Sequence, residues 1–288
     1  MRRVPRLGWR QGLALGVVVL AAGFAYPAWR HFHPVSAAEG WRYREFAADI
    51  PMVSALALDA DGSLFVTQEF SSRRGSLLRL LPTGERQPVL GELSKPDGLV
   101  MFQGGLVVSQ EGGPLPVFLL RDGQRQALFD GNDVEGVATD GQTLYAIEDL
   151  PRGRLLSYDP LQRRLVVLRD GLEEGEGVAR CPDGRLFYTE KAKGWVKQWQ
   201  PGGADTLVAT GLDAPGFVQC SADGLWITED ATHGARVLLV QPDGRLVTVI
   251  SHLRSAQTLI PRGDGHYLVA EQGRNRILEL SREAGAAR

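Results

Sequence analysis

EGVARCPDGRLFYTEKAKGWVKQWQPGGADTLVATGL, residues 176–212, decides how the rest of the chain is read. EGVARC is a short apolar run, CPDG a turn, RLFYTE a second run, KAKG a loop, WVKQWQ a third run, PGGA a turn and DTLVATGL a fourth. Asp-Gly and Pro-Asp-Gly between β-branched and aromatic runs are hairpin signals, so the segment predicts four antiparallel strands. The next unit repeats the order from Gly216 to Leu253: GFVQC, SADG, LWITE, DATHG, ARVLLVQ, PDG, RLVTVISHL. No helical periodicity interrupts this pattern after the N-terminal run.

The second strand of every unit ends in a glutamate: LFVTQE at Glu69, LVVSQE at Glu111, LYAIE at Glu148, LFYTE at Glu190, LWITE at Glu229 and YLVAE at Glu271. The step is about 40 residues, the length of a propeller or solenoid unit, and four strands per unit select the propeller. The expected fold is all-β, a six-bladed β-propeller over residues 41–282. The last unit offers only three strands, TLIPR, YLVAE and RILEL, while a stray strand, WRYREFA at 41–47, precedes the first unit. That strand should complete the last blade from outside, a latch that removes an open sheet edge.

Arg2, Arg3, Arg6 and Arg10 precede an apolar run from Gly12 to Trp29. Residues 1–29 therefore read as a hydrophobic signal or anchor helix whose positive end stays cytoplasmic. The propeller is then expected on the periplasmic or extracellular face, anchored to the inner membrane or secreted, as a monomer. Residues 30–40 would be a tether and 283–288 a disordered tail. A chain of 288 residues, 43% hydrophobic, has ample material for a core. With a formal net charge of -2, no basic stripe and no phosphate-cradling Gly-Lys-Ser/Thr loop, nucleic acid is not an expected partner. Cys181 and Cys220 fall at matching points of consecutive units, GVARC and GFVQC. The repeat alone explains their equivalence as two buried thiols, although export would permit a disulfide between neighbours.

In a propeller blade the start of the first strand and the end of the second lie on one face near the axis. Six glutamates would ring that mouth, and a sixfold feature is in the first place architectural. The first-strand starts are less regular: VSALA, KPDGLV, DVEGVA, GEGVA, APGFV and AQTLI, placing Ser54, Asp97, Glu135, Glu176, Pro215 and Gln257 at the opening. Three consecutive blades bring a carboxylate there, which architecture does not require. Carboxylates crowded beside one another shift their pKa or recruit a cation. An all-oxygen site of irregular geometry suits Ca²⁺ or another divalent cation. Asp97, Glu135, Glu176 and Glu148 are the expected ligands. Glu190, Glu229 and His233, in the loop EDATHG, are the candidates for acid–base work at the mouth. His252 falls on the same side, His266 in a turn on the other, and His31 and His33 in the tether. Trp195 and Trp199 alternate on one strand and should pack between blades.

PDGLV at 96–100 and EGV at 135 and 176 resemble the strand openings of the gluconolactonase/senescence-marker (regucalcin-like) propellers, and EQGRNRILEL at 271–280 is similar to an NHL-repeat strand pair. The resemblance implies a six-bladed lactonase or esterase fold with a divalent ion on the axis. It matches Asp97, Glu135 and Glu176 to ligand positions and Glu190 or Glu229 to the strand-end carboxylate used as acid and base. The chain departs from that pattern in having Asp97 for Asn, Ser54 for a ligand Glu, and Glu for Asp at the strand ends. The expected function is an exported, divalent-metal-dependent hydrolase of a lactone, ester or sugar-derived small molecule. The alternative is a non-catalytic binding propeller for a sugar, a peptide or a partner protein. A quinone-dependent dehydrogenase ranks lower, because an acidic mouth repels that cofactor's carboxylates.

Overall fold

The computed structural model describes Gly23, Ala25, Tyr26, Ala28, Trp29, His31 and residues 33–283. Apart from those few positions, which have helical backbone, the expected signal or anchor of 1–29 lies outside the described residues, as does the tail from 284. Among the described residues no helix is long and apolar enough to cross a membrane.

From Ser36 the chain forms six antiparallel sheets. Blade one runs Val53–Leu58, Leu64–Gln68, Gly75–Leu80 and Arg86–Leu93, and blades two to five follow the same order from Gly98, Val134, Val178 and Pro215. Blade six takes Ala256–Gly263, His266–Glu271 and Arg276–Arg282 from the C-terminal end and Trp41–Ala47 as its outermost strand. The latch is therefore where WRYREFA predicts it. First strands pack against the first strands of both neighbouring blades, and the sixth packs against the first, which closes the ring.

Part of the expected tether belongs to the sheets. Ser36–Ala37 pairs with Leu246–Leu253 and makes blade five five-stranded, and the Ala38 N–H donates to the Val249 carbonyl at 2.8 Å. Residues 36–38 thus cover the edge of blade five before the chain completes blade six.

Apolar side chains do not gather in one core. They fill the layers between blades, which is why second strands such as LYAIE and LFYTE are buried along their whole length. Phe102, Val107 and Phe129 of blade two meet Leu144, Ala146 and Tyr158 of blade three. Trp41, Trp226 and Tyr267 pack between blades five and six, Trp41 edge-on to Trp226 and the other two pairs tilted. Trp199 of blade four lies under the Arg169 guanidinium of blade three.

The glycine in the Asp-Gly and Glu-Gly openings is a packing requirement. A Cβ on Gly136 would sit 2.5 Å from the Glu176 carbonyl oxygen, and one on Gly177 2.5 Å from that of Gly216. Innermost strands approach this closely because the ring narrows at the axis.

Cys181 and Cys220 are joined in a disulfide, with 5.4 Å between their Cα atoms, which corrects the reading of two buried thiols. The sequence shows only that the two positions are equivalent; the closeness of neighbouring first strands makes them a pair. A cross-link over 39 residues should stabilise by about 2–4 kcal/mol. Cys181→Ser with Cys220→Ser should lower the melting temperature by about 5–10 °C for a domain of this size, which scanning calorimetry would read. An unchanged melting temperature would show that the bond contributes nothing.

Candidate metal centre at the propeller mouth

One hydrogen bond per blade fixes the alignment of the repeats. The backbone N–H groups of Glu69, Glu111, Asp149, Lys191, Asp230 and Gln272 donate to the carbonyls of Met52, Lys95, Asp133, Glu174, Ala214 and Ser255. These six donors form a rim. Two residues after each acceptor stand Ser54, Asp97, Glu135, Glu176, Gly216 and Gln257, the inner ring. One residue before each donor stand Gln68, Gln110, Glu148, Glu190, Glu229 and Glu271.

The six second-strand glutamates are therefore two different sets. Glu69 and Glu111 belong to the rim, whereas the other four belong to the position before it. The blade-five member of the inner ring is Gly216, one residue beyond the expected Pro215. It brings no side chain to the mouth.

The glutamates of the earlier position tie strands together. Glu148 accepts the Asn132 N–H at 3.0 Å and a two-pronged contact from Arg154, at 2.7 Å to Nε and 2.5 Å to Nη2. Glu190 accepts the Glu173 N–H at 3.2 Å and the Lys197 ammonium at 2.5 Å. Glu229 accepts the Asp213 N–H at 2.8 Å and both prongs of Arg236. Glu271 accepts the Arg254 N–H and pairs with Arg274 and Arg276. Glutamine replaces glutamate in blades one and two, whose third strands start without a cation. There Gln110 still accepts the Ser94 N–H at 2.9 Å. Gln68 faces Pro51, which has no N–H, and donates instead to the Pro51 carbonyl at 3.0 Å. Charge is present only where the third strand compensates it, as buried charge demands.

Of the expected site residues, Glu148, Glu190 and Glu229 are thus each engaged by a backbone N–H and a cation. His233 lies half-buried between the second and third strands of blade five. Asp97, Glu135 and Glu176 are brought together as expected. They are 2%, 3% and 0% exposed. Beside them the rim supplies Glu69, Glu111, Asp149 and Asp230. Seven carboxylates thus share the mouth with two ammonium groups, Lys95 and Lys191.

The acids fall into three clusters. Glu69, Asp97 and Glu111 place carboxylate oxygens within 4.8 Å of one another, and Lys95 grips Glu111 and lies 3.5 Å from Glu69. Glu176 and Asp230 share Lys191, at 2.9 and 2.7 Å. Glu111, Glu135 and Asp149 form the third cluster, again within 4.8 Å. Here, among the described residues, Glu135 Oε2 and Asp149 Oδ1 are buried without a hydrogen-bond partner. The chain pairs its own ammonium groups within two clusters, whereas among the described residues Glu135 and Asp149 form no ion pair and feel Lys191 only from a distance. Three hard oxygen donors around orphaned atoms fit a divalent ion of the calcium class.

Titration reflects the same crowding. Burial, followed by repulsion from Glu176 and Asp97, pushes Glu135 well above the usual carboxylate range. Burial, then Glu69 and Glu111, do the same to Asp97 against the Ser54 hydroxyl, which donates to it. Burial pushes Asp149 to about 6 and Glu176 to about 8, the latter despite the pull of Lys191. Groups raised in the folded state bind protons that the unfolded chain has lost, so stability falls as pH rises between the two pKa values. In the presence of a chelator, the melting temperature should fall between pH 5 and 8, by about 3–5 °C per pH unit for each fully buried carboxyl. A flat profile would mean that burial and neighbouring charge do not raise these groups in the folded state.

The mouth was half legible in the sequence. Asp97, Glu135 and Glu176 stand out because they break the repeat. Glu111 stands among the strand-end glutamates, but Asp149 and Lys191 escape when units are aligned on those glutamates. Alignment on the first apolar residue of each second strand, Leu64, Leu106, Leu144, Leu186, Leu225 and Tyr267, puts both on the rim, five residues on.

No family model matches the sequence, and no curated protein matches it. Solved structures do match. A gluconolactonase from Xanthomonas campestris superposes with a TM-score of 0.71 at 14% identity, over 86% of this chain and 91% of that one. A chain of the nidogen–laminin complex gives 0.60 at 17%, over 69% and 80%. A Thermus thermophilus protein described as a glucose dehydrogenase-type oxidoreductase gives 0.65 at 16%, over 84% and 100%. At these identities the likeness is one of fold: the chain has the six-bladed propeller that gluconolactonases share with proteins of other kinds.

Proposed function

We propose that the protein is a divalent-cation-dependent hydrolase of lactones or small esters, its ion held at the propeller mouth. One observation carries the reading: among the described residues, Glu135 and Asp149 are the mouth acids that combine an orphaned buried oxygen with no ion pair. The gluconolactonase relatives in fold support the substrate class. Glu111, Glu135 and Asp149 would hold the ion. Bound there, it would polarise a carbonyl and favour negative charge on its oxygen.

The chain's own residues supply the rest. Asp97 adjoins this cluster through Glu111 and has a raised proton affinity, so it is the group suited to take a proton from water. Ser54 donates to Asp97 and fixes its orientation. Lys95 holds Glu111 and Glu69 in place from the rim. Glu148, Glu190 and Glu229, gripped by Arg154, Lys197 and Arg236, hold the blade ends that carry the site.

A second reading draws support from the burial of Asp97, Glu135 and Glu176. In it the ion is a structural plug in a binding propeller, and no bond is cleaved. A chelated sample returned to Ca²⁺ separates the two. The hydrolase reading expects hydrolysis of δ-lactones or p-nitrophenyl esters to fall at least 100-fold with chelator and to return with Ca²⁺, together with a rise in melting temperature. Calcium-dependent stability without turnover on a broad lactone and ester panel would favour the plug. No calcium response at all would end both.

A further inference from the structure

The position of Lys191 points to a second cation site that the chain fills by itself. In the rim, five blades carry Glu69, Glu111, Asp149, Asp230 and Gln272, and blade four alone carries a lysine. Its side chain lies between Glu176 of its own blade and Asp230 of the next, at 2.9 and 2.7 Å. Asp230 is held further by the Ser255 hydroxyl and, at 2.8 Å, by the Gln257 amide. Glu176 is fully buried, and its Oε1 has no hydrogen-bond partner among the described residues. That oxygen faces the gap left by Gly216, 3.3 Å from where a Cβ would stand. Two carboxylates thus face one ammonium, and a buried acceptor is left over.

We propose that the Lys191 ammonium is a built-in substitute for a metal ion between Glu176 and Asp230, so that the mouth takes one divalent ion and not two. Lysine suits the task because its charge is compact and carried on a flexible stem. Covalent attachment gives it a local concentration that free Ca²⁺ does not match. Burial works against its charge, but Glu176 and Asp230 outweigh that and hold it protonated at all ordinary pH. Without that charge, buried Glu176 stands beside the half-buried Asp230 with no cation between them, a pair that attracts an ion.

The proposal depends on the hydrolase reading only for the ion at Glu111, Glu135 and Asp149. Its test is the stoichiometry of Ca²⁺ binding to the chelator-stripped full chain by titration calorimetry, with thermal unfolding alongside. Wild type should bind one ion, Lys191→Gln two, and Lys191→Arg one. Lys191→Gln combined with Glu176→Gln should return to one. The melting temperature of Lys191→Gln should be lower than wild type without metal and recover most of the difference in millimolar Ca²⁺. Two ions in wild type, or an unchanged count and affinity in Lys191→Gln, would overturn the proposal, as would a variant that stays unfolded in millimolar Ca²⁺. If wild type binds none, the hydrolase reading fails on its own. A single ion gained by Lys191→Gln would then still support the substitution, and none gained would overturn it.

Discussion

Replacing Glu135 by Gln and Asp149 by Asn should abolish the rise in melting temperature that Ca²⁺ gives the wild type and lower kcat/KM for lactones by about 10³-fold. Saturation at a hundred times Kd is worth about 2.7 kcal/mol, or about 5–10 °C for a domain of this size. The variant should lose all of it. The metal-free proteins should differ in the opposite direction. Glu135 is pushed up by Glu176, Asp97 and Asp149, and Asp149 by Glu111, once burial has acted on both. Neutral amides remove that repulsion, so the stripped variant should melt above the stripped wild type at pH 8. Both signs are read in one calorimetric series. A stripped variant that melts lower, or one that still responds to Ca²⁺, would place the ion elsewhere.

Arg236→Ala should be among the most destabilising single changes on the mouth face. Glu229 is fully buried and receives both prongs of Arg236 as well as the Asp213 N–H. Removing one partner of a buried pair costs about 3–5 kcal/mol, because the other charge stays behind. Arg236 is 35% exposed, so solvent screens part of the loss. The expected cost is then near the lower end, about 3 kcal/mol, or about 6–12 °C in melting temperature. The protein also suggests the remedy, since blades one and two use Gln68 and Gln110 where no third-strand cation is present. Adding Glu229→Gln to Arg236→Ala should recover most of the loss. If the double variant is no more stable than the single one, the stranded charge is not the cause.

The architecture was written in local signals. Asp-Gly turns such as those at 183–184 and 243–244, repeated at one spacing, give the strand count. The three-strand last unit and the spare WRYREFA give the closure. These are short-range features, and each carries its own mechanism. The site depends on register, which is less forgiving. In LFVTQE and LVVSQE the glutamates catch the eye, but the structural equivalent of Glu148 is the glutamine before them. A slip of one residue moves a side chain to the other face of a strand. The same slip offers Pro215 in place of Gly216. Lys191 is lost inside KAKG, which reads as an ordinary basic loop until it is set against Asp149 and Asp230. The partners of Glu148, Glu190 and Glu229 sit across the sheet on the third strand. They become legible only when glutamate is seen to alternate with glutamine according to whether Arg154, Lys197 or Arg236 is present.

The two-residue strand Ser36–Ala37 has a mechanical consequence. Force entering along the backbone from residue 35 meets the hydrogen bonds to blade five before it reaches Trp41–Ala47. A small clip therefore bears the first load, and the strand that shuts the ring lies downstream of it, shielded from tugging as a seam is by a bar tack.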